Sequence, residues 1–250
     1  MAQQFKDYFS EKSDVYRSYR PGYPTELFAW LAGLPARRDA ALDCGCGTGQ
    51  ASVALAEHFA RVYAVDPSAG QIKSATPHKR VEYRVAPAEE TGLPDASVDL
   101  VIAAQALHWF DFSRFYAEVR RVARGGAVFA AFTYGLLAID DEIDRIIGRF
   151  YRDVIGPYWP PERAHVDAGY RTLPFPFAEI ETPTFAMKAE WDLGHLMGYF
   201  ETWSAVKEYR RLRGDDPLEL VAGDLATAWG DPALVRQVSW PLVLRAGRIE

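Results

Sequence analysis

Short apolar runs alternate along this chain with stretches whose apolar positions recur every three or four residues. Ala40-Ala41-Leu42, Arg61–Val65, Val81–Val85, Val98–Ala104 and Gly126–Phe132 read as strands, the first as the end of a buried one. Between them lie helical patterns. Gln50–Phe59 carries Val53, Leu55 and Phe59, and a short helix fits Ser68–Thr76. Asp111–Arg124 aligns Phe112, Phe115, Tyr116, Val119 and Val122, with Asp111 suited to the N-cap and Gly125-Gly126 to the stop. An earlier helix, Pro24–Leu34, presents Leu27, Phe28 and Leu31. Strands alternating with helices predict an α/β fold, a parallel sheet covered on both faces.

After the fifth strand the rhythm breaks. Asp140–Val154 reads as a helix with Ile143, Ile146, Ile147, Phe150 and Val154 inward, and its leading acids Asp140, Asp141 and Glu142 suit a helix start. Prolines and aromatics then crowd the stretch from Pro157 to Phe177 and exclude regular structure there. Thr184–Trp191 is a candidate strand, Leu193–Val206 and Pro217–Trp229 are helices, and Val235–Arg245 is a final strand in which Pro241 implies a bulge or an edge. The expected organisation is one domain over 1–250: an N-terminal helical segment 1–34, a core 35–134, a cap insertion 135–183, and a C-terminal part 184–250 that returns to the sheet.

Composition narrows the partners. A formal charge of −6 and the lack of a long basic run argue against a nucleic-acid surface. The group Lys207, Arg210, Arg211, Arg213 reads as a solvated helix face. The first twenty residues are polar and charged, unlike a signal peptide, and the longest apolar stretch, Ala127–Ile139, is too short and mixed to span a bilayer. Cys44 and Cys46 are too close for a relaxed disulfide and too few for a zinc site, which suits a reducing compartment and a cytoplasmic enzyme without a bound metal.

The chemistry concentrates at Asp43-Cys44-Gly45-Cys46-Gly47-Thr48-Gly49, between the first strand and its helix. Glycines there permit a tight reversal and let a ligand lie against bare backbone, while the helix start offers free N–H groups. A dinucleotide fingerprint, G-x-G-x-x-G, would need glycine at position 50, which is Gln; the third glycine comes one residue early. Asp66, at the tip of the second strand, is placed either to accept both hydroxyls of a ribose or to cap the helix that follows.

The G-x-G-x-G turn led by Asp43 resembles the first motif of the class I S-adenosylmethionine-dependent methyltransferases. Asp99–Phe110, reading D-L-V-x-x-x-Q-A-x-H-W-F, and the N-terminal Tyr16-Arg17-Ser18-Tyr19-Arg20-Pro21-Gly22-Tyr23-Pro24 are similar to the type 11 and trans-aconitate methyltransferase-like small-molecule group. The likeness is strongest over residues 8 to 134. It implies a Rossmann-like, doubly wound, seven-stranded sheet, mostly parallel with the last strand antiparallel, and S-adenosylmethionine as cofactor. On this resemblance the cofactor contacts are Asp43, Gly45, Cys46, Gly47, Gly49, Asp66, Pro67, Ala88, Glu89 and Gln105. Pro87 stands where the family often has an acid for the adenine, and Arg124 where it has a proline before two glycines.

The acceptor side falls to Tyr19, Arg20, His108, Trp109, Tyr134, Trp159 and Trp203. His108 is either a general base or a histidine that simply bonds a neighbour. Tyr19 and Arg20 either close over the cofactor or hold an anionic acceptor through a fork of hydrogen bonds. The expected reaction is methyl transfer to a small organic acceptor, with a carboxylate suited to Arg20 and a phenol or amine still open, by a monomer or homodimer. The rivals are a non-catalytic cofactor-binding or scaffold protein, and a nicotinamide dehydrogenase. The latter conflicts with Gln50 and with a Tyr8–Lys12 pair that precedes the glycine turn.

Overall fold

The computed structural model describes residues 19–250, so Tyr8, Lys12 and the start of the N-terminal motif lie outside the described residues. In chain order the helices are α1 (Thr25–Ala32), α2 (Gln50–Ala56), α3 (Ala69–Lys73), α4 (Phe112–Val122), α5 (Asp141–Arg149), α6 (Arg163–Asp167), α7 (Leu193–Glu201), α8 (Ser204–Arg213) and α9 (Glu219–Trp229). The strands are β1 (Ala40–Cys44), β2 (Arg61–Asp66), β3 (Val81–Val85), β4 (Val98–Ala104), β5 (Ala123–Tyr134), β6 (Ala178–Ile180), β7 (Phe185–Trp191) and β8 (Arg236–Arg248). They form one sheet in the order β3-β2-β1-β4-β5-β8-β6, with β7 also on β8. The first five strands are parallel, and β8 runs antiparallel to β5.

Seven strands were expected and eight form, because the chain beside β8 is interrupted. β6 pairs with Ala246–Arg248 and β7 with Arg236–Leu242, and the residues between them, with Pro183, leave the ladder. β6 falls inside the stretch expected to be insertion. Pro241 pairs with Ala186 of β7 on one side and stands at a local edge on the other, as the proline implies. The β5 ladder starts at Leu242, so the proline sits just beyond it, where β5 has ended.

Two apolar layers sandwich the sheet. Ala41, Leu100, Ile102, Val128, Ala130 and Phe132 point to one face, against α1, α2, α5 and α7–α9. Leu42, Cys44, Val101, Ala103, Phe129 and Ala131 point to the other, against α4 and the segment carrying Val166, Tyr170 and Phe177. The alternation is the strand period of two with both faces dry. On α4, Phe115, Tyr116, Val119 and Val122 are buried and Asp111 caps the start, accepting the N–H of Arg114. Each such side chain contributes about 1.5–3 kcal/mol by leaving water.

Three helices depart from simple periodicity. α4 stops at Val122 because Ala123 is already extended and begins β5. The helix expected to run to Val154 is α only to Arg149 and then widens into a π-turn, Phe150–Val154. The helix expected over 193–206 breaks at Thr202-Trp203. There the Thr202 hydroxyl donates to the Tyr199 carbonyl at 2.6 Å, and Trp203 turns extended to start α8. α9 packs on α5, and α8 on the short 3-10 turn Gly156–Tyr158, so residues from both sides of β6 and β7 build one helical layer. Arg210 pairs with Glu201 and Asp216, and Arg211 with Glu208, so these cations are balanced on the helix surface. No helix among the described residues is long and apolar enough to cross a membrane.

Candidate active site

The glycine turn is tied down at both ends. The N–H groups of Gly45 and Cys46 donate to the Val65 carbonyl at 2.8 and 3.0 Å, and Gly49 donates to Cys46 at 2.9 Å. Gly45, Gly47 and Gly49 all have positive φ. At Gly49 the conformation (φ +84°) and the surroundings both demand glycine: it caps α2, and an added Cβ would collide with the Tyr83 hydroxyl. Gly45 is equally closed, since its Cβ would lie 2.5 Å from that of Ala106, just past β4. Packing therefore presses the turn between the ends of β3 and β4.

Asp66 does two things in this geometry. Its Oδ2 accepts the Gly47 N–H and its Oδ1 the Ser68 N–H, each at 2.9 Å. The capping of α3 itself falls to Ser68, whose hydroxyl accepts from Gln71 at 3.2 Å. Pro67 is half-buried beside it. Asp43 is sealed beneath the turn. Its Oδ2 accepts from the Ser52 hydroxyl at 2.6 Å, its Oδ1 has no partner among the described residues, and burial raises its pKa to about 7. Cys44 and Cys46 are free thiols, both buried, and burial pushes both up. Ala88 is buried, and Glu89 accepts the N–H of Asp111 at 2.8 Å, which ties the β3 turn to the start of α4.

Gln105 ends β4 in a left-handed conformation, φ +53°, that side chains other than glycine rarely adopt. Strain of this kind collects at functional positions. It is held there by its own side chain: Nε2 donates to the Tyr134 carbonyl at 3.0 Å, while Oε1 accepts from the Thr133 hydroxyl. The donation to a backbone carbonyl fixes which end of the amide is which.

From Tyr134 a continuous wall runs outward. Arg20 donates to the Tyr134 hydroxyl at 3.1 Å and lies over the Tyr199 ring at 5.0 Å. Tyr199 meets Trp203 at 5.6 Å, Trp203 meets Trp159 at 5.7 Å, and Trp159 meets Tyr151 at 5.1 Å. Tyr19 packs edge-on against His195. Tyr134, Trp159, Trp203 and Arg20, separated widely in sequence, are thus brought into one aromatic cluster together with Tyr199 and Tyr151. Those two carried no signal beyond an aromatic at a helical position. The Trp159 Nε1 is buried with no partner among the described residues. On its other side Trp159 walls a cavity of about 340 Å³ shared with Pro157, Pro161, Ser204 and Arg211.

His108 sits on a 3-10 turn after β4, its ring against Trp109 at 4.8 Å and its Nδ1 2.9 Å from the Tyr170 hydroxyl. Burial first, then the Arg163 and His165 charges, push its pKa down to about 3. Tyr170 and Arg163 both come from the proline-rich stretch. Arg163 bonds the Tyr151 hydroxyl at 2.7 Å and lies over Trp159 at 4.8 Å, linking the histidine side to the aromatic wall.

Known proteins resemble this chain in sequence and fold. The family model described as "Methyltransferase domain" (Methyltransf_11) matches residues 42–131, from the middle of β1 to near the end of β5. A Dictyostelium discoideum protein that carries a provisional methyltransferase name is 33% identical over 249 residues, 96% of this chain and 94% of its own. An uncharacterized methyltransferase of Mycobacterium tuberculosis is 35% identical over 178 residues, 69% of this chain and 67% of its own. A solved structure from Anaeromyxobacter dehalogenans, described provisionally as a type II methyltransferase, superposes with a TM-score of 0.87 at 56% identity, covering 92% of this chain and 98% of the other. The dehydrogenase and scaffold readings give way: the chain belongs to the class I S-adenosylmethionine-dependent methyltransferases, and S-adenosylmethionine is its cofactor.

Proposed function

We propose that the acceptor is a small organic carboxylate, held by Arg20 in a chamber that this aromatic cluster bounds. One observation carries this: a guanidinium is fixed against Tyr134 and Tyr199 at the inner end of an aromatic wall, beside the strained Gln105. A planar fork of donors matches a carboxylate in two places at once. The proton inventory supports the choice. His108 is pushed far below neutrality, so it is a poor base for a phenol or an ammonium, whereas a carboxylate arrives with its lone pair exposed. Trp159 Nε1 offers a further donor to an acceptor oxygen.

The residues present fit the cofactor. Asp43, with an unpartnered buried oxygen, and the bare backbone of Gly45–Gly49 suit the cationic amino-acid end. A carboxylate accepts up to about four hydrogen bonds, so Asp66 can hold the turn and still receive a vicinal diol. Ala88, with Pro67 and Glu89 nearby, would line the base, and Gln105 the methionine part. When bound, S-adenosylmethionine supplies a methyl group already activated on a sulfonium. The chain's share is alignment: Gln105, Tyr134 and Arg20 set the acceptor oxygen, the aromatic wall excludes water, and His108 with Trp109 closes the β4 side as a hydrogen-bonding group. Two buried thiols suit a reduced, cytoplasmic setting.

The test is a panel of carboxylic acids, phenols and amines with the purified protein and S-adenosylmethionine, followed by release of S-adenosylhomocysteine. Carboxylates should be turned over, and Arg20→Ala should raise KM at least tenfold while cofactor affinity holds. Turnover of phenols or amines with every carboxylate silent would overturn the assignment.

A further inference from the structure

Gly198 stands in the middle of α7, where glycine is among the poorest helix formers. Nothing in its backbone requires it, for its φ is not in the left-handed region. What requires it is a side chain from far away. A Cβ on Gly198 would lie 2.6 Å from Cζ and 2.7 Å from Cδ1 of Tyr19, and closer still to Cε1. Real Cβ atoms do not approach so near, and the edge of an aromatic ring is rigid. The notch is lined further by His195, whose ring meets that of Tyr19 at 4.9 Å and stacks on Trp191 at 4.6 Å.

The neighbour of each partner is part of the chamber. Arg20 follows Tyr19 and lies over Tyr199, which follows Gly198. Three residues on, Tyr23 packs on Phe132 at 5.2 Å, so the strap between them is short and anchored at both ends. Moving the Tyr19 ring by the width of a methyl group would move the guanidinium off Tyr199 and Tyr134.

We propose that Gly198 is a positioning residue: its missing side chain gives Tyr19 a seat on α7, and the seated ring holds Arg20 in the acceptor chamber. The proposal rests on the reading of Arg20 as the acceptor's anchor, and it assigns to α7 the task of placing that anchor. Only the ring is used, so Tyr19→Phe should keep the seat.

Two measurements decide it without any acceptor. Alanine favours helix over glycine, so Gly198→Ala would raise Tm if the seat were idle. The expected result is the reverse: a fall in the wild-type background and a rise in the Tyr19→Ala background, where the methyl group fills vacated space. The second reads Arg20 directly. Its Nε is buried, so the ¹⁵N-labelled Nε–H signal, assigned with Arg20→Lys, should exchange slowly with water. Gly198→Ala and Tyr19→Ala should each speed that exchange at least tenfold, and Tyr19→Phe should not. A raised Tm in Gly198→Ala, or unchanged exchange, would overturn the proposal. With an acidic acceptor in hand, Gly198→Ala should raise KM at least tenfold and leave kcat within twofold. If no carboxylate is turned over, the functional reading falls alone, since stability and exchange still decide the seat.

Discussion

Asp66 accepts the backbone N–H of Gly47 at 2.9 Å, so the acid at the tip of β2 shapes the turn that it faces. Removing the carboxylate should therefore damage the site twice. Asp66→Ala leaves the Gly47 and Ser68 N–H groups without their charged acceptor, which should lower stability by about 2–3 kcal/mol. It should also weaken S-adenosylmethionine at least tenfold in calorimetry. An unchanged affinity would remove the ribose assignment even if the melt shifts.

Gly49→Ala should be more severe than an ordinary turn substitution. The left-handed φ costs about 1–2 kcal/mol for alanine, and the Cβ runs into the Tyr83 ring. We expect a large drop in Tm and loss of cofactor binding. Adding Tyr83→Ala should return part of the stability, because the collision ends while the backbone strain stays. Full restoration would show that sterics alone made glycine necessary.

Arg124 stands where relatives were expected to carry proline, and it has taken on work there. Its Nη1 meets both oxygens of the buried Asp99 at 3.1 Å, and Asp99 in turn receives the N–H groups of Asp39 and Ala40 at 2.8 and 3.0 Å. Breaking one half of a buried pair costs about 3–5 kcal/mol; with Arg124 partly exposed, Arg124→Ala should cost about 2–3 kcal/mol in urea unfolding. Asp99→Asn in the same background should recover some of that loss. If Arg124→Ala melts like the wild type, the pair is idle.

Two buried groups should tilt the pH dependence of the ligand-free protein in opposite directions. Asp43, raised to about 7, keeps in the folded state a proton that the unfolded chain releases near pH 4. Its contribution is complete at low pH and is lost as pH rises through 7. His108, lowered to about 3, refuses a proton that the unfolded chain takes up below about 6.5. Its contribution is present above 6.5 and is lost as pH falls toward 3. Relative to wild type, Asp43→Asn should gain stability from pH 4 to 8, whereas His108→Gln should gain from pH 7 to 4. Parallel Tm curves across that range would refute both assignments.

The glycine turn, Asp66 and the strand order were legible because each depends on neighbours in sequence: a reversal, an acid at a strand end, an alternation of periods. The aromatic cluster around Arg20 was only half legible. Arg20, Tyr134, Trp159 and Trp203 stood out as residue types, but nothing local joins Trp203 to Trp159 or Arg20 to Tyr199. Tyr170, which bonds His108 across 62 positions, lay hidden among prolines. The break at Thr202-Trp203 was invisible for a different reason. Leu196, Phe200 and Trp203 keep helical spacing straight through it, and only the Thr202 hydroxyl turning back on Tyr199 ends the coil. The split of the outer strand into β6 and β7 was not read, because three residues, Ala178–Ile180, are too short a run to show a period.

The widened turn after Arg149 acts as a phase setter. By holding one extra residue per revolution, Phe150–Val154 points Tyr151 inward at Trp159 and Trp203 while Arg152 and Asp153 stay in water. Excising a single residue there would return the coil to its usual pitch with the flanking turns nearly in phase, so the change would fall on the residues of the widened turn itself. Tyr151, the ring behind the Trp159 indole, would be the one displaced, so the backing of that indole depends on a local change of gear.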